Sequence, residues 1–245
     1  MNYLKAYGIL LLNTLTGLAI MILNSFINIP NKYISVVLML SLFVISNIIY
    51  AYCFKLTDDI KKYWSLRKSY FILPGIITGL IIAYLPITLG LITGKTNFSA
   101  LSFYEITISS LIITFLIVSW EELWFRGILL NYCKKFISYI NISVASGILF
   151  MLMHIMNPNI NLLTEGPSLF FAGALLTILY LYYKNIWLPI GIHFGNNFFN
   201  SLVDYPLKDD IWFGEEKLIS SFVTAILFII FVIKVYKKNI NNAAK

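Results

Sequence analysis

Charged residues are scarce in this chain. Only 12% of its 245 residues are Asp, Glu, Lys or Arg, whereas a typical soluble domain holds roughly 25%. No segment is polar enough to form a soluble domain, since 59% of the residues are hydrophobic and the mean hydropathy is +0.82. This composition argues against a soluble globular protein and predicts an all-α, polytopic membrane protein.

Cysteine and histidine are also rare, with two of each. Cys53 and Cys133 stand at the ends of apolar runs beside lysines, which places both near the cytoplasm and argues against a structural disulfide. Neither has the spacing of a metal-binding motif, so we interpret them as small apolar residues. The two histidines, in contrast, lie inside apolar runs.

Eight apolar runs approach or exceed the roughly 20 residues needed to cross a bilayer. The first is too long for the hydrophobic region of a signal peptide and no A-x-A site follows it, so it is interpreted as a span. The fourth is longer than a bilayer requires and is predicted to tilt or project. The runs cover residues 7–29, 33–54, 70–94, 100–133, 139–156, 168–183, 186–203 and 218–236.

The distribution of basic residues predicts the orientation of these spans. With the N-terminus inside, the cytoplasmic segments hold most of the lysines and arginines, namely Lys5, Lys55, Lys61, Lys62, Arg67, Lys68, Lys134, Lys135, Lys184, Lys234, Lys237, Lys238 and Lys245. The outer segments hold Lys32, Lys95, Lys208 and Lys217. We therefore expect a multi-pass protein of the cell membrane with both termini in the cytoplasm. The net charge of +7 indicates contact with membrane lipid rather than nucleic acid, because the basic residues flank apolar runs.

Two carboxylates and a guanidinium lie within the fourth run, after its apolar stretch 100–119, at Glu121, Glu122 and Arg126. Each ionisable side chain near the bilayer centre costs roughly 2.5–3.5 kcal/mol, so such a group indicates function. Glu122 and Arg126 are four residues apart and can neutralise each other on one helix face. Glu121 points about 100° away, which leaves its carboxylate available for chemistry.

The two histidines extend this polar group to other spans. Near Asn197, the glycines Gly191 and Gly195 flank His193 and permit close approach of a neighbouring helix. At 1.5 Å per residue, Glu121, His154 and His193 lie roughly 14–20 Å from the cytoplasmic edge, so they can meet in one cavity. The seventh run carries a polar stripe at helical spacing, formed by His193, Asn197, Asn200 and Asp204.

A carboxylate with two imidazoles supports two chemistries. The glutamate can act as a general base on water, with one histidine assisting and the other stabilising an oxyanion together with an Asn amide. Alternatively, Glu121, His154 and His193 bind zinc and leave one position open for water. Both point to hydrolysis of a carbonyl compound, and the H-E-x-x-H metalloprotease motif is absent.

Three motifs in this order resemble the CPBP family of CAAX prenyl endopeptidases and their bacterial Abi or bacteriocin-processing relatives. They are Glu-Glu-x-x-x-Arg at 121–126, Phe-x-x-x-His at 150–154 and His-x-x-x-Asn at 193–197. The first motif is specific inside an apolar run, and together the three use both histidines of the chain. The resemblance covers roughly residues 100–204.

The resemblance implies an intramembrane endopeptidase with a membrane-associated or lipidated peptide or protein as substrate. Glu121 and His154 would activate water, and His193 and Asn197 would form the oxyanion hole. Glu122, Arg126 and Phe150 would support the architecture. The resemblance also implies a possible metalloprotease, so a zinc cofactor stays open.

The predicted organisation has three parts: residues 1–99 with helices 1–3, a catalytic core at 100–204 with helices 4–7, and residues 205–245 with helix 8 and a basic tail. The competing hypothesis is a non-catalytic membrane protein, either a scaffold or a factor that confers bacteriocin immunity. A transporter is disfavoured, because no internal repeat or interrupted half-helix is visible.

Overall fold

The computed structural model describes residues 2–27, 29–97, 102–103, 107–154, 161–204 and 218–243 of the chain. Nearly all of these residues are helical, in the elements α1 (Asn2–Ile27), α2 (Lys32–Cys53), α3 (Thr57–Tyr63), α4 (Ile72–Ile92), α5 (Ile108–Phe125), α6 (Ile128–Cys133), α7 (Tyr139–Met153), α8 (Leu162–Tyr183), α9 (Trp187–Leu202) and α10 (Leu218–Ala243). A 3-10 helix (Leu66–Phe71) leads into α4. The strands β1 (Ser102–Phe103) and β2 (Val203–Asp204) form one short antiparallel pair.

Each of the eight predicted spans consists mainly of helix in the described ranges, which confirms the all-α polytopic fold. Among these residues, six segments are long and apolar enough to cross a membrane: Tyr3–Ile27, Lys32–Cys53, Thr57–Ile92, Ile108–Cys133, Leu163–Tyr183 and Leu218–Lys237. α7 and α9 are shorter, with 15 and 16 residues. Large apolar side chains such as Leu73, Ile81 and Ile229 are exposed on the helices, as expected for surfaces that face lipid.

The fourth apolar run, 100–133, does not form the single long helix that its composition predicts. α5 begins at Ile108, where the side chains of Thr107 and Ser110 form a capping box. It ends at Phe125, and α6 starts only after Gly127. An isolated glycine in an apolar run is a weak sequence signal for a helix break, so the break was not predicted.

Two other boundaries differ from the sequence prediction. α8 begins at Leu162 rather than at 168, because the Asn161 side chain accepts a hydrogen bond from the Leu163 N–H and Glu165 accepts one from the Asn161 N–H. α9 ends at Leu202, so the prediction that Asp204 continues its polar stripe is wrong. Asp204 belongs instead to β2, paired with Ser102. The predicted connection at 157–167 overlaps α8 from Leu162 onward, whereas the connection at 204–217 lies outside the described residues except for Asp204. The three-part division stays a prediction.

Glycines bring α4 and α9 into backbone contact. A Cβ built on Gly75 would lie 2.7 Å from the Leu188 carbonyl oxygen, and one built on Gly195 would meet the backbone of Ile76. Real side chains do not occupy such short distances, so only glycine fits here. This confirms the close helix approach predicted from Gly191 and Gly195, and α4 is the partner.

The remaining contacts place the polar end of α5 at the centre of the molecule. α7 packs along α8, and α10 packs on α8 and α4. α1 and α2 cover α5 and α6 from the other side, while α5 also contacts α9. The helices that carry the two glutamates and the two histidines therefore converge.

Candidate active site

The last turn of α5 carries a buried ion pair. Arg126 Nη1 donates to Glu122 Oε1 at 3.0 Å, and both side chains are fully buried. The pair that the i, i+4 spacing predicts is therefore present. Arg126 Nη2 also donates to the carbonyl oxygen of Gly173 at 2.9 Å, which ties α5 to α8. A removed partner would leave a buried charge uncompensated, so this pair supports the architecture.

His193 lies between the two adjacent carboxylates. Its Nδ1 donates to Glu122 Oε1 at 2.8 Å, and its Nε2 lies 3.5 Å from Glu121 Oε2. Sequence reasoning assigned Glu122 to Arg126 alone and missed its contact with the histidine. No local pattern reveals this contact, because the two residues are 71 positions apart in the chain.

His154 directly follows the end of α7 and is fixed by its own helix. Its Nδ1 donates to the Phe150 carbonyl oxygen at 2.7 Å. A carbonyl oxygen only accepts, so Nδ1 carries the hydrogen and Nε2 of the neutral ring is left as an acceptor.

The Phe150 ring lies close to both imidazoles and to the Arg126 guanidinium. Its centroid lies 4.7 Å from that of His154 and 6.0 Å from that of His193. The Arg126 guanidinium stands 5.0 Å from the same ring, within range of a cation–π interaction. Phe150 thus packs against three of the predicted site residues, His154, His193 and Arg126. These contacts are consistent with its predicted supporting role.

A cavity of about 120 Å³ opens beside these groups. All four predicted catalytic residues, Glu121, His154, His193 and Asn197, line it. The other lining residues are Ile82, Phe150, Ser168, Leu169, Ala172, Leu175, Leu176, Ile192, Asn196, Ser220 and Thr224. Sequence reasoning missed the hydroxyl-bearing residues of α8 and α10, because isolated Ser and Thr in apolar helices carry no distinguishing signal. The cavity is mainly apolar with a few convergent polar groups, as ligand sites are.

The two carboxylates differ in their surroundings. The Glu121 side chain is 20% exposed and faces the cavity, whereas Glu122 is fully enclosed. Glu122 Oε2 and Arg126 Nε have no hydrogen-bond partner among the described residues, which is unusual for buried polar atoms.

The zinc hypothesis lacks support from side-chain placement. Within the described ranges, no group of three or more His, Cys, Asp or Glu residues is arranged so that it could hold a metal ion. With Nδ1 bonded to the Phe150 carbonyl, Nε2 of His154 suits metal chemistry, but Glu121, His154 and His193 do not form a ligand cluster among the described residues. Zinc binding stays a prediction. Cys53 is exposed, Cys133 is buried, and both are free thiols.

Residues 103–199 match the family model described as type II CAAX prenyl endopeptidase, Rce1-like. The match contains all seven of the predicted catalytic and supporting residues, and it confirms the resemblance to the CPBP family. No curated protein matches the chain.

Proposed function

Because residues 103–199 match the family model of Rce1-like type II CAAX prenyl endopeptidases, we propose that the protein is an intramembrane endopeptidase. Its substrate is a membrane-associated or lipidated peptide or protein. One observation carries this proposal: the Glu121 carboxylate and the His193 imidazole lie 3.5 Å apart beside a cavity that His154 and Asn197 also line. This arrangement supplies a base, a second proton acceptor and oxyanion donors in one place.

Glu121 is the proposed general base. Its carboxylate faces the cavity, and a water held there would give up a proton to it while attacking the scissile carbonyl carbon. His154 assists from the same cavity through Nε2, since its Nδ1–H is committed to the Phe150 carbonyl. The proton taken from water then passes to the leaving amine as the C–N bond breaks.

His193 and Asn197 are the proposed oxyanion donors. They stand four residues apart on α9 and therefore on one helix face. Because His193 Nδ1 already donates to Glu122, donation from Nε2 requires the imidazolium form. An imidazolium would also balance the charges of Glu121, Glu122 and Arg126, which otherwise sum to one negative charge in a low-dielectric region.

Glu122 and Arg126 have a positioning role in this proposal. Glu122 Oε1 accepts from both Arg126 and His193, so it sets the orientation of the imidazole ring. Orientation of a histidine by a carboxylate at Nδ1 is a recurrent device in hydrolases. Neither residue needs to touch the substrate.

The competing hypothesis of a non-catalytic scaffold or immunity factor predicts polar groups that only bind helices together. Glu122 fits that description, but Glu121 does not. Among the described residues, the Glu121 carboxylate takes part in one ion pair, with His193 at 3.5 Å. The same carboxylate borders the cavity. A carboxylate retained there at such cost is better explained by chemistry.

The test is cleavage of a library of membrane-inserted and lipidated peptides by the purified protein in nanodiscs. Glu121→Gln removes the base and preserves the shape, so cleavage should be abolished. Asp58→Asn is the control, because Asp58 pairs with Lys61 on the exposed surface of α3 and does not line the cavity. Equal cleavage by the wild type and Glu121→Gln would overturn the proposal, as would no cleavage of any peptide.

A further inference from the structure

The helix break after Glu121 and Glu122 frees backbone groups deep in an apolar region. In a continuous α-helix the N–H of residue 128 would donate to the carbonyl of residue 124. Here the Ile128 N–H donates instead to Oδ1 of Asn47, at 2.7 Å. A membrane interior has no water to satisfy such groups, so a break of this kind needs partners from the protein itself.

Asn47 of α2 supplies both kinds of partner. Its Oδ1 accepts from Ile128 at the start of α6, and its Nδ2 donates to the Leu123 carbonyl at the end of α5, at 3.3 Å. Nδ2 also donates to the Phe43 carbonyl within α2, at 2.8 Å, which fixes the amide. Asn47 is only 2% exposed, so no solvent competes for these bonds.

A second asparagine completes the arrangement. Nδ2 of Asn13, on α1, donates to the Trp124 carbonyl oxygen, the group whose helical partner is missing. Asn13 is buried as well, at 7% exposure. The two amides therefore contact the two consecutive carbonyls, of Leu123 and Trp124, that directly follow the glutamates.

Gly127 provides the space for this contact. Its backbone has φ −64° and ψ 177°, a conformation open to any residue, so glycine is not needed for its torsion angles. A Cβ at position 127 would instead collide with Asn47 Oδ1 and the Leu123 carbonyl. The glycine and the asparagine thus form one structural unit across α2 and the α5–α6 junction.

We propose that Asn47, assisted by Asn13, is a positioning residue for the active site: it fixes the last turn of α5 and so directs Glu121 and Glu122 towards His193. Both asparagines lie outside residues 103–199, the segment that carries the family match. α1 and α2 therefore have a role in catalysis beyond covering the core. This inference rests on the proposed endopeptidase function.

The positioning role follows from the narrow geometry that the glutamates must keep. Glu122 Oε1 accepts two hydrogen bonds at the same time, from Arg126 Nη1 at 3.0 Å and from His193 Nδ1 at 2.8 Å. Hydrogen bonds weaken steeply with angle and distance, so a small rotation of the last turn would lose one of them. Since Glu121 precedes Glu122 in that turn, the same rotation would move the general base away from the cavity.

The test uses the two histidines as internal reporters. The full-length protein is labelled with ¹⁵N-histidine, and its imidazole signals are assigned with His154→Gln. Asn47→Ala should shift the His193 ring signals and leave those of His154 in place, because only His193 depends on the Glu122 position. In the cleavage assay kcat should fall about 10–10²-fold with KM within about twofold, as for misplacement of catalytic groups.

Asn131→Ala is the matched control. Asn131 is also a fully buried asparagine, on α6, and its amide donates to the Tyr180 hydroxyl at 2.7 Å instead of to an α5 carbonyl. Its loss should lower the melting temperature while the His193 signals and kcat persist. If Asn47→Ala fails to accumulate, Asn13→Ala removes the Trp124 contact alone and should give the same shift and the same kcat defect.

The outcomes separate this inference from the proposed function. Unchanged His193 signals in Asn47→Ala, or in Asn13→Ala if Asn47→Ala does not accumulate, would overturn the positioning role. This holds even if no peptide is ever cleaved. A fall in kcat no larger than that of Asn131→Ala would overturn it as well. Absence of cleavage by the wild type would overturn the endopeptidase proposal, and the histidine spectra would still decide whether the asparagines position the glutamates.

Discussion

Glu122 and His193 are joined by a hydrogen bond of 2.8 Å between Oε1 and Nδ1, inside a fully buried environment. The glutamate that pairs with Arg126 therefore also orients an imidazole at the cavity. The two adjacent carboxylates are linked through this imidazole, because His193 contacts Glu122 through Nδ1 and Glu121 through Nε2. Under the proposed mechanism, we therefore expect a substitution at Glu122 to affect stability and catalysis together, and one at Glu121 to affect catalysis alone.

The first prediction contrasts the two glutamates. Glu122→Gln should destabilise the protein by about 3–5 kcal/mol, because it leaves the Arg126 guanidinium unpaired and buried. Glu121→Gln should abolish turnover without a comparable loss, because its side chain is partly exposed to the cavity. Thermal unfolding in detergent measures stability, and peptide cleavage measures turnover.

Arg126→Met serves as the reciprocal variant for the buried pair, and it should be destabilised like Glu122→Gln. The roles would be reversed if Glu122→Gln were stable and inactive while Glu121→Gln kept its activity. A stable, active Glu122→Gln would show that the bond to His193 is dispensable.

The sequence alone predicted that the glutamates and histidines of the site meet, because ionisable residues are rare in membrane spans and therefore indicate function. In a run as apolar as 100–133, Glu121, Glu122 and Arg126 stand out, and helical spacing alone pairs Glu122 with Arg126. The two histidines stand out for the same reason. The small size of Gly191 and Gly195 beside His193 also predicted close approach of a neighbouring helix, which the α4–α9 interface confirms.

What the sequence did not reveal depends on contacts between distant segments. The bond from His193 to Glu122 and the bonds from Asn47 to α5 and α6 join residues more than 70 positions apart. No local pattern encodes them. The helix break at Gly127 is hidden for the same reason, since its stability comes from an asparagine on another helix.

The second prediction concerns the oxyanion hole. Asn197→Ala should lower kcat by roughly 10²–10³-fold with little change in KM, because it removes one donor that acts in the transition state. Asn200→Ala is the matched control, since Asn200 lies on the same helix but does not line the cavity. Steady-state cleavage kinetics of the two variants give the answer, and equal kcat values would rule out Asn197 as a donor.

The third prediction concerns orientation in the membrane. Basic residues concentrate in the segments assigned to the cytoplasm, so reporter fusions after Lys135 and Lys245 should read cytoplasmic. Fusions near Lys95 and Asn159 should read external. The two pairs act as controls for each other, and an external signal at Lys245 would contradict the topology with eight spans.

The fourth prediction concerns metal. If the side chains act without metal, as we propose, the purified protein should keep full activity after chelator treatment, with negligible metal by elemental analysis. If Glu121, His154 and His193 bind zinc instead, the protein should hold about one equivalent.

In that zinc case, activity and metal should be lost together, and zinc or cobalt should restore the activity. His154→Gln separates the two cases further, because it should abolish metal binding only if His154 is a ligand. The bond from His154 Nδ1 to the Phe150 carbonyl leaves Nε2 available in either mechanism. The same variant should therefore reduce turnover in both cases, and the metal content of the protein is the measurement that decides between them.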